Sequence, residues 1–322
     1  MTDKLEIKLD LKHLFNTYGM LIILVVLYTG FSIKIQGFYS VETLLSILEQ
    51  VSMFGIISIG VTMAIITTGI DLSSGSIVAL ASVMAAIIVT GSDSAFLALL
   101  AFMAAIGIGG FCGAINGAFT AIGKIPPFIA TLGMMTIARG AAQLSSGGRP
   151  IDASGDGFTW IADLKLFNGI PGLVFIYVAI VILSHILLSR TQFGRHIYAI
   201  GGNRNAARIS GINVRKTLIM VYTFAGALAG LAGAMLASRT YAGNPTYGVS
   251  WELDAIAAAV IGGTSLNGGI GSVPMCVIGA LIIGTTNKGL NLLGVDPNWQ
   301  LIVKGMIIIV AVLIDTLKRR RG

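Results

Sequence analysis

The 322-residue sequence predicts an all-α, polytopic membrane helix bundle with about ten transmembrane spans. Three observations carry that prediction. Hydrophobic side chains make up 55% of the chain and charged ones only 11%; the mean hydropathy is +0.88; and apolar runs of about 17 to 25 residues recur from end to end. With so little polar surface, the solvent for most of the chain must be lipid. Lipid offers no hydrogen-bonding partner to backbone N–H and C=O groups, so only helices or closed barrels cross it, and runs of this length suit helices. The 42 glycines agree. Each would weaken a helix in water by about 1 kcal/mol, but between membrane helices small residues permit close packing.

In chain order, the apolar runs fall at residues 18–36, 50–68, 75–90, 95–119, 126–145, 170–189, 216–238, 254–272, 274–293 and 299–316. The eighth and ninth are interrupted by glycine between Gly262 and Gly271, so some spans are expected to be broken or re-entrant. The sequence thus divides into an N-terminal segment 1–17, a single transmembrane domain 18–317 and a basic tail 318–322. Ahead of the first run, Asp3, Lys4, Glu6, Lys8, Asp10 and Lys12 mix both signs, and no small-residue cleavage site follows. No removable signal peptide is expected.

Lys and Arg accumulate in short cytoplasmic loops. With ten spans, 14 of the 21 basic residues fall on one side: Lys4, Lys8 and Lys12, then Lys124, six in the 189–216 connection, and Lys318 to Arg321. Both termini are therefore expected in the cytoplasm. The net charge of +7 becomes a topology signal, and no basic domain suggests nucleic-acid binding.

Within the spans, Gly109, Gly113 and Gly117 form a double GxxxG stripe, and Gly226 and Gly230 a second, both read as helix contacts. Cys112 and Cys276 lie in apolar stretches without disulfide or metal spacing and read as packing residues. His13, His185 and His196 are scattered, which gives an enzyme no metal or nucleophile constellation.

Two outer segments stand out. The 147–171 connection carries Arg149, Asp152, Asp156, Trp160, Asp163 and Lys165, and either touches an external partner or is a solvated loop anchored by Trp160. The 239–254 segment sets Tyr241, Tyr247 and Trp251 beside Glu252 and Asp254, as an interfacial belt or a docking surface.

The inner 189–216 connection is more informative. Gly201 and Gly202 break it, Asn203 or Asn205 can cap a helix, and Gly211 is placed to end one. A helix of about two turns is not stable alone in water, so something must hold it. Arg204 and Arg208 stand at i, i+4; the helix is either pressed into a groove on another protein or laid along anionic headgroups.

Asp71 is the acid deepest in apolar sequence, among Thr67, Thr68, Gly69, Ser73, Ser74, Gly75 and Ser76. Such a charge either lines a cavity or caps the span beginning near Ser73. Gly69, Leu72 and Gly75 recur at a constant offset as Gly263, Leu266 and Gly269, which suggests two broken hairpins in corresponding halves.

The run Asn205-Ala206-Ala207-Arg208-Ile209-Ser210-Gly211 resembles the EAAxxxG pattern of ABC-importer permeases, with Asn205 in place of Glu. ITTGIDLSSGSIVAL (66–80), PPFIATLGMMTIARG (126–140), GRHIYAIGGNRNAARISGINV (194–214), ELDAIAAAVIGGTSLNGG (252–269) and NKGLNLLGV (287–295) are similar to the ribose, xylose and galactoside branch of that family, over about residues 38–318. The resemblance implies a sugar permease of the bacterial inner membrane: a homodimer with cytoplasmic ATP-binding subunits and an extracytoplasmic sugar-binding protein. ATP and Mg would then sit on the partner ATPase, with no cofactor on this chain. The absence of a GxxxxGK[ST] phosphate loop agrees; Gly117 to Lys124 has five residues between its glycines and Ile125 after the lysine.

The resemblance makes Asn203, Asn205, Ala206, Ala207, Arg208 and Gly211 the residues that couple to the ATPase. Neutral polar side chains suit a sugar's hydroxyls, so the expected path residues are Asp71, Ser73, Asn116, Thr131, Asn287 and Asn291; Thr136 and Gln143 are further intramembrane candidates. Each could instead bridge neighbouring helices. A self-sufficient secondary transporter is the competing class, with Asp71 as its one credible intramembrane acid.

Overall fold

The structure is a computed structural model that describes residues 11–320 apart from residue 168. Among the described residues it is helical: α1 (Leu11–Lys34), α2 (Val41–Ile66), α3 (Ser74–Val89), α4 (Ala95–Ala121), α5 (Pro127–Ser146), α6 (Asp156–Asp163), α7 (Gly172–Arg190), α8 (Gln192–Gly202), α9 (Arg204–Ile209), α10 (Val214–Thr240), α11 (Trp251–Ile261), α12 (Val273–Leu292) and α13 (Pro297–Arg320). Strands are limited to two-residue bridges, β1 (Ile151–Asp152) with β4 (Ala242–Gly243) and β2 (Lys165–Leu166) with β3 (Ile170–Pro171), both antiparallel. Five of the described helices, α2, α4, α7, α10 and α12, are each long and apolar enough to cross a membrane; Gly19–Lys34 of α1 and Ser74–Val89 are shorter apolar stretches.

α10 is the central post. It packs most extensively on α4, then on α3 and α2, and 72% of its apolar window is buried, against 39% for α4 and 33% for α7. The two glycine stripes explain how. A Cβ on Gly109 would strike the Gly226 carbonyl, one on Gly113 the Tyr222 carbonyl, and one on Gly226 the Gly109 carbonyl, so the backbones of α4 and α10 touch directly. Lipid supplies little hydrophobic drive between helices, so dispersion between closely approached backbones holds this pair.

Several boundaries differ from the hydropathy reading for identifiable reasons. α2 begins nine residues before the apolar run at 50, because Glu42 and Glu49 interrupt hydropathy without interrupting a helix. Ser40 caps it by accepting from Thr43 N at 3.2 Å, and Glu49 is paired with Arg239 at 2.9 Å. The run at 254–272 is only half helical: α11 has 11 residues, and 262–272 is irregular up to Val273. The 189–216 connection holds two helices, α8 being the one not foreseen; its buried Ile197, Ile200 and Gly201 make it amphipathic.

Neither outer segment is a free loop. Phe158 of α6 is buried and meets Phe102 with ring centroids 5.4 Å apart, while its carbonyl accepts from Ser238 Oγ at 2.8 Å. Phe158 thus fixes α6 to the bundle, while Trp160 is 53% exposed. Residues 242–250 lie back along α3, with Gly243 against Ser82 and Gly248 against Gly75, so they return along the bundle. Beyond them, the Tyr241 hydroxyl donates to Asp163 at 2.5 Å, and that bond holds the phenol above the usual tyrosine range. Cys112 and Cys276 are buried and free.

Candidate translocation and coupling site

Two helix breaks define the site. α2 ends in a Schellman-type cap: Gly69 N bonds to Ala64 O at 2.9 Å and Thr68 N to Ile65 O at 2.8 Å, with Thr68 left-handed at φ +66°. α11 ends the same way, with Thr264 N on Ala259 O at 2.9 Å, Gly263 N on Val260 O at 2.9 Å and Gly263 at φ +82°. In these two caps Thr68 corresponds to Gly263 and Gly69 to Thr264, one residue out of register with the glycine match in the sequence; the same cap also closes α5, α9 and α12, at Gly147, Gly211 and Gly294, and so does not establish a repeat.

The breaks bond to each other. Gly269 N donates to Ile66 O at 2.9 Å. Gly201 of α8 is wedged against both Ile66 O and Gly269 N, and a Cβ there would overlap both. From the same helix, the Tyr198 hydroxyl donates to Gly271 O at 2.7 Å. α8 thus touches both breaks at once.

Within the first break Asp71 is 1% exposed. Its Oδ1 accepts from Ser73 N at 2.9 Å and from Ser73 Oγ at 2.6 Å. Ser73 Oγ in turn accepts from Asn116 Nδ2 of α4 at 2.9 Å. Thr131 Oγ1 of α5 donates to Ile70 O at 3.0 Å. Fully buried Tyr222 of α10 lies within electrostatic reach of Asp71 and of Arg204, and its hydroxyl and Asn116 Oδ1 have no hydrogen-bond partner among the described residues. Asp71 does organise the start of α3, yet Ser73 stands at the cap position and Asp71 two residues before it.

Four of the six expected path residues, Asp71, Ser73, Asn116 and Thr131, thus come together on three elements. Asn287 and Asn291 do not join them. Asn287 is buried on α12 beside Asp254 of α11, which pairs with Lys304 of α13 at 2.9 Å. Asn291 accepts from Gln300 Nε2 at 2.8 Å and lines a separate cavity of about 360 Å³ with Gln50, Arg239, Trp251 and Lys288.

A larger cavity of about 470 Å³ opens beside the first break, lined by Ser76, Met135, Thr136, Arg139, Val249, Ser250 and Glu252. Arg139 donates to Pro245 O at 2.5 Å and to Tyr247 O at 2.8 Å, and it and Glu252 interact electrostatically. The Glu252 carboxylate rests on Gly75, in the first turn of α3. α5 packs on α3 and α4 and leaves Phe128, Ile129, Leu132 and Ile137 exposed. The cavity thus places two charges, with Ser76, Thr136 and Ser250, beside the exposed apolar residues of α5. Neither charge is among the residues expected from the sequence to line the path; Glu252 is placed there only in the 239–254 segment. Their signal was charge within an apolar run.

In the coupling segment, Asn203 Oδ1 accepts from Asn205 N at 3.0 Å and Ala206 N at 2.9 Å, and Gly211 ends the helix at φ +85°. The expected cap and stop are both in place, and α9 has six residues. Ala207, however, points inward onto Ala121, Ile200, Val214 and Leu218. The exposed face carries Arg204, Asn205, Ala206, Arg208 and Ile209, the last 84% exposed.

Residues 43–312 match the family model described as branched-chain amino acid transport system, permease component. The chain is 44% identical over 305 residues to the ribose import permease protein RbsC of Escherichia coli (strain K12), covering 93% of each chain. It is 39% identical over 308 residues to the fructose import permease protein FrcC of Rhizobium meliloti, covering 92% of this chain and 84% of that one. It is 34% identical over 308 residues to the L-arabinose transport system permease protein AraH of Escherichia coli (strain K12), covering 96% and 93%. No solved structure matches. With 270 of its residues inside the family model and relatives that match almost end to end, the chain belongs to the permease-component family of ABC importers, as a multi-pass transport subunit of the bacterial inner membrane.

Proposed function

We propose that the chain forms the membrane passage of an ATP-driven, binding-protein-dependent importer of a monosaccharide, working as a homodimer with two cytoplasmic ATPase subunits and an extracytoplasmic sugar-binding protein. The observation that carries the coupling half of this reading is the seat of Gly201 on both breaks. A push on α9 reaches α8 through Asn203, and α8 is in backbone contact with the ends of both α2 and the α11–α12 connection. The family description speaks of amino acids, but the relatives' names of ribose, fructose and L-arabinose favour a neutral, hydroxyl-rich solute.

The topology that accompanies it has about ten crossings and both ends in the cytoplasm. Connections at 90–94, 147–171 and 240–243 meet at one end of the bundle, through Thr90 Oγ1 on Asp152 O at 3.0 Å, Asp156 N on Asp93 at 3.1 Å and the β1–β4 bridge. Residues 242–250 and α11 together make one crossing, each covering part of the depth. The passage is assigned to the α5 face, where Thr136, Arg139 and Glu252 would be costly against lipid. A second copy placed there would enclose them in a polar channel. Asp71, Ser73, Asn116 and Thr131 then shape the break behind that channel, and Asn203 to Gly211 form the ATPase contact.

The test is reconstitution of the chain with its ATPase and binding protein in proteoliposomes. Sugar uptake should require internal or external ATP on the ATPase side and cease without either partner. Accumulation by the chain alone, driven by an ion gradient, would overturn the reading in favour of a secondary transporter.

A further inference from the structure

Away from the α5 face, the cavity of about 360 Å³ that holds Asn291 lies among the outer ends of three helices. Ser46 and Gln50 come from the first turns of α2, Arg239 from the last turn of α10, and Lys288 and Asn291 from the last turns of α12. Its apolar walls are Met53 and Leu236, about one turn deeper on α2 and α10, with Leu292 and the indole of Trp251, the first residue of α11. Glu49 grips Arg239 at Nε, 2.9 Å, and at Nη2, 3.1 Å, which neutralises the guanidinium and leaves Nη1 over. Lys288 Nζ donates to Ser46 Oγ at 2.9 Å, using one of its three protons, and no carboxylate pairs with it among the described residues. Asn291 Oδ1 is taken by Gln300, so Nδ2 is its uncommitted end. The lining is rich in N–H donors and poor in charged acceptors.

A hydroxyl carries two lone pairs for each proton, so a polyol asks its site for more donors than acceptors. Its ring C–H groups also gain from an apolar or aromatic wall, which a bare carboxylate does not use. The volume is at the small end of ligand cavities. We propose that this cavity is a second sugar site, separate from the α5 passage, where one neutral monosaccharide rests at the outer end of α2, α10 and α12. The inference rests on the topology and the importer function proposed above. Consecutive residues link the two cavities: Trp251 lines this one, while Ser250 and Glu252 line the one beside α5. Ser250 takes a left-handed φ of +66° at the start of α11. A sugar against Trp251 therefore bears on the turn of chain whose other side faces the passage.

The chain has three tryptophans, and Trp160 and Trp299 are more than half exposed. Replacing both by Phe in the full-length chain leaves Trp251 as the fluorescent reporter, in detergent and without ATPase or binding protein. At least one of ribose, fructose and L-arabinose should change its emission saturably, with a Kd of about 1–10 mM. Gln50→Leu and Lys288→Met should each weaken that binding about fivefold or more. Leu292→Phe, at the exposed mouth, should weaken it without touching the fold, and Arg149→Gln in the 147–171 connection should leave it intact. Ribonate, the carboxylate counterpart of ribose, should bind no more tightly than ribose. Three results would each overturn the proposal: no saturable change with any of the three sugars, affinity retained in the Gln50, Lys288 and Leu292 variants, or tenfold tighter binding of ribonate. ATP-dependent uptake in proteoliposomes alongside any of these would leave the importer reading standing, so the two failures are told apart.

Discussion

Gly201 and Ile66 meet backbone to backbone: the α-carbon of one lies so close to the carbonyl of the other that no side chain fits between them. A six-residue surface helix, the helix that follows Thr191 and the end of a buried membrane helix are joined by this contact. Gly201→Val should therefore separate ATP hydrolysis from transport. Overpacking of this kind costs about 1–3 kcal/mol, and sugar uptake should fall at unchanged ATPase assembly. Normal uptake by the variant in proteoliposomes would remove Gly201 from the coupling route.

The inward and outward residues of α9 should behave differently. Ile209→Asp is expected to abolish co-purification with the ATPase while the melting temperature of the isolated chain stays put. Ala207→Glu would drive a carboxylate among Ala121, Ile200, Val214 and Leu218 and should lower that temperature. If both variants lost ATPase binding at full stability, Ala207 would belong to the docking face after all.

Arg139 and Glu252 should matter in distinct ways. Glu252→Gln keeps the shape of the cavity and removes one charge, so uptake should fall with little change in stability. Arg139→Gln also deprives Pro245 O and Tyr247 O of their donor, at a cost of about 1–3 kcal/mol, and should depress both. Measured initial rates and thermal shifts on the two variants decide the matter; unaltered uptake in both would move the passage off the α5 face.

For the break itself, Asp71→Asn retains an acceptor for Ser73 N–H and should be tolerated better than Asp71→Ala, which strands the N–H and the hydroxyl of Ser73 in a buried place. The difference should be about 1–3 kcal/mol. Equal melting temperatures for the two would show that the Asp71–Ser73 bonds do not shape the start of α3.

On α4, two glycines six residues apart offer an internal control. Gly107 has open space where a Cβ would go, whereas Gly113 faces the Tyr222 carbonyl. Gly107→Ala should stabilise by up to about 1 kcal/mol, and Gly113→Ala should destabilise by about 1–3 kcal/mol. Chemical denaturation in mild detergent would reveal the opposite signs.

Much of this architecture was legible from single residues. The glycines of α4 and α10 announced their contact because only small residues let membrane helices touch. Asn203 and Gly211 announced a short capped helix. Gly262 to Gly271 announced a broken span. What was hidden depended on where distant segments return. Arg139 looks like a lone charge in an apolar run until Pro245 and Tyr247 return along α3 to meet it. Ala207 looks like one more member of a docking motif until α8 and α10 close over it. The glycine match does not align the two caps, because a left-handed residue is usually glycine and here Thr68 takes that role in the first break.

The backbone contact of α4 with α10 leaves that pair little to slide on: Gly109, Gly113, Gly226 and Gly230 each abut a carbonyl of the facing helix, so rotation or shear would collide at once. The pair is a stator. Alternating exposure of the proposed passage is then expected from the two breaks and from α5, which packs on α3 and α4 and leaves its other face open. Spin labels bridging α5 and α11 should report changing separations through the transport cycle, and labels bridging α4 and α10 a constant one.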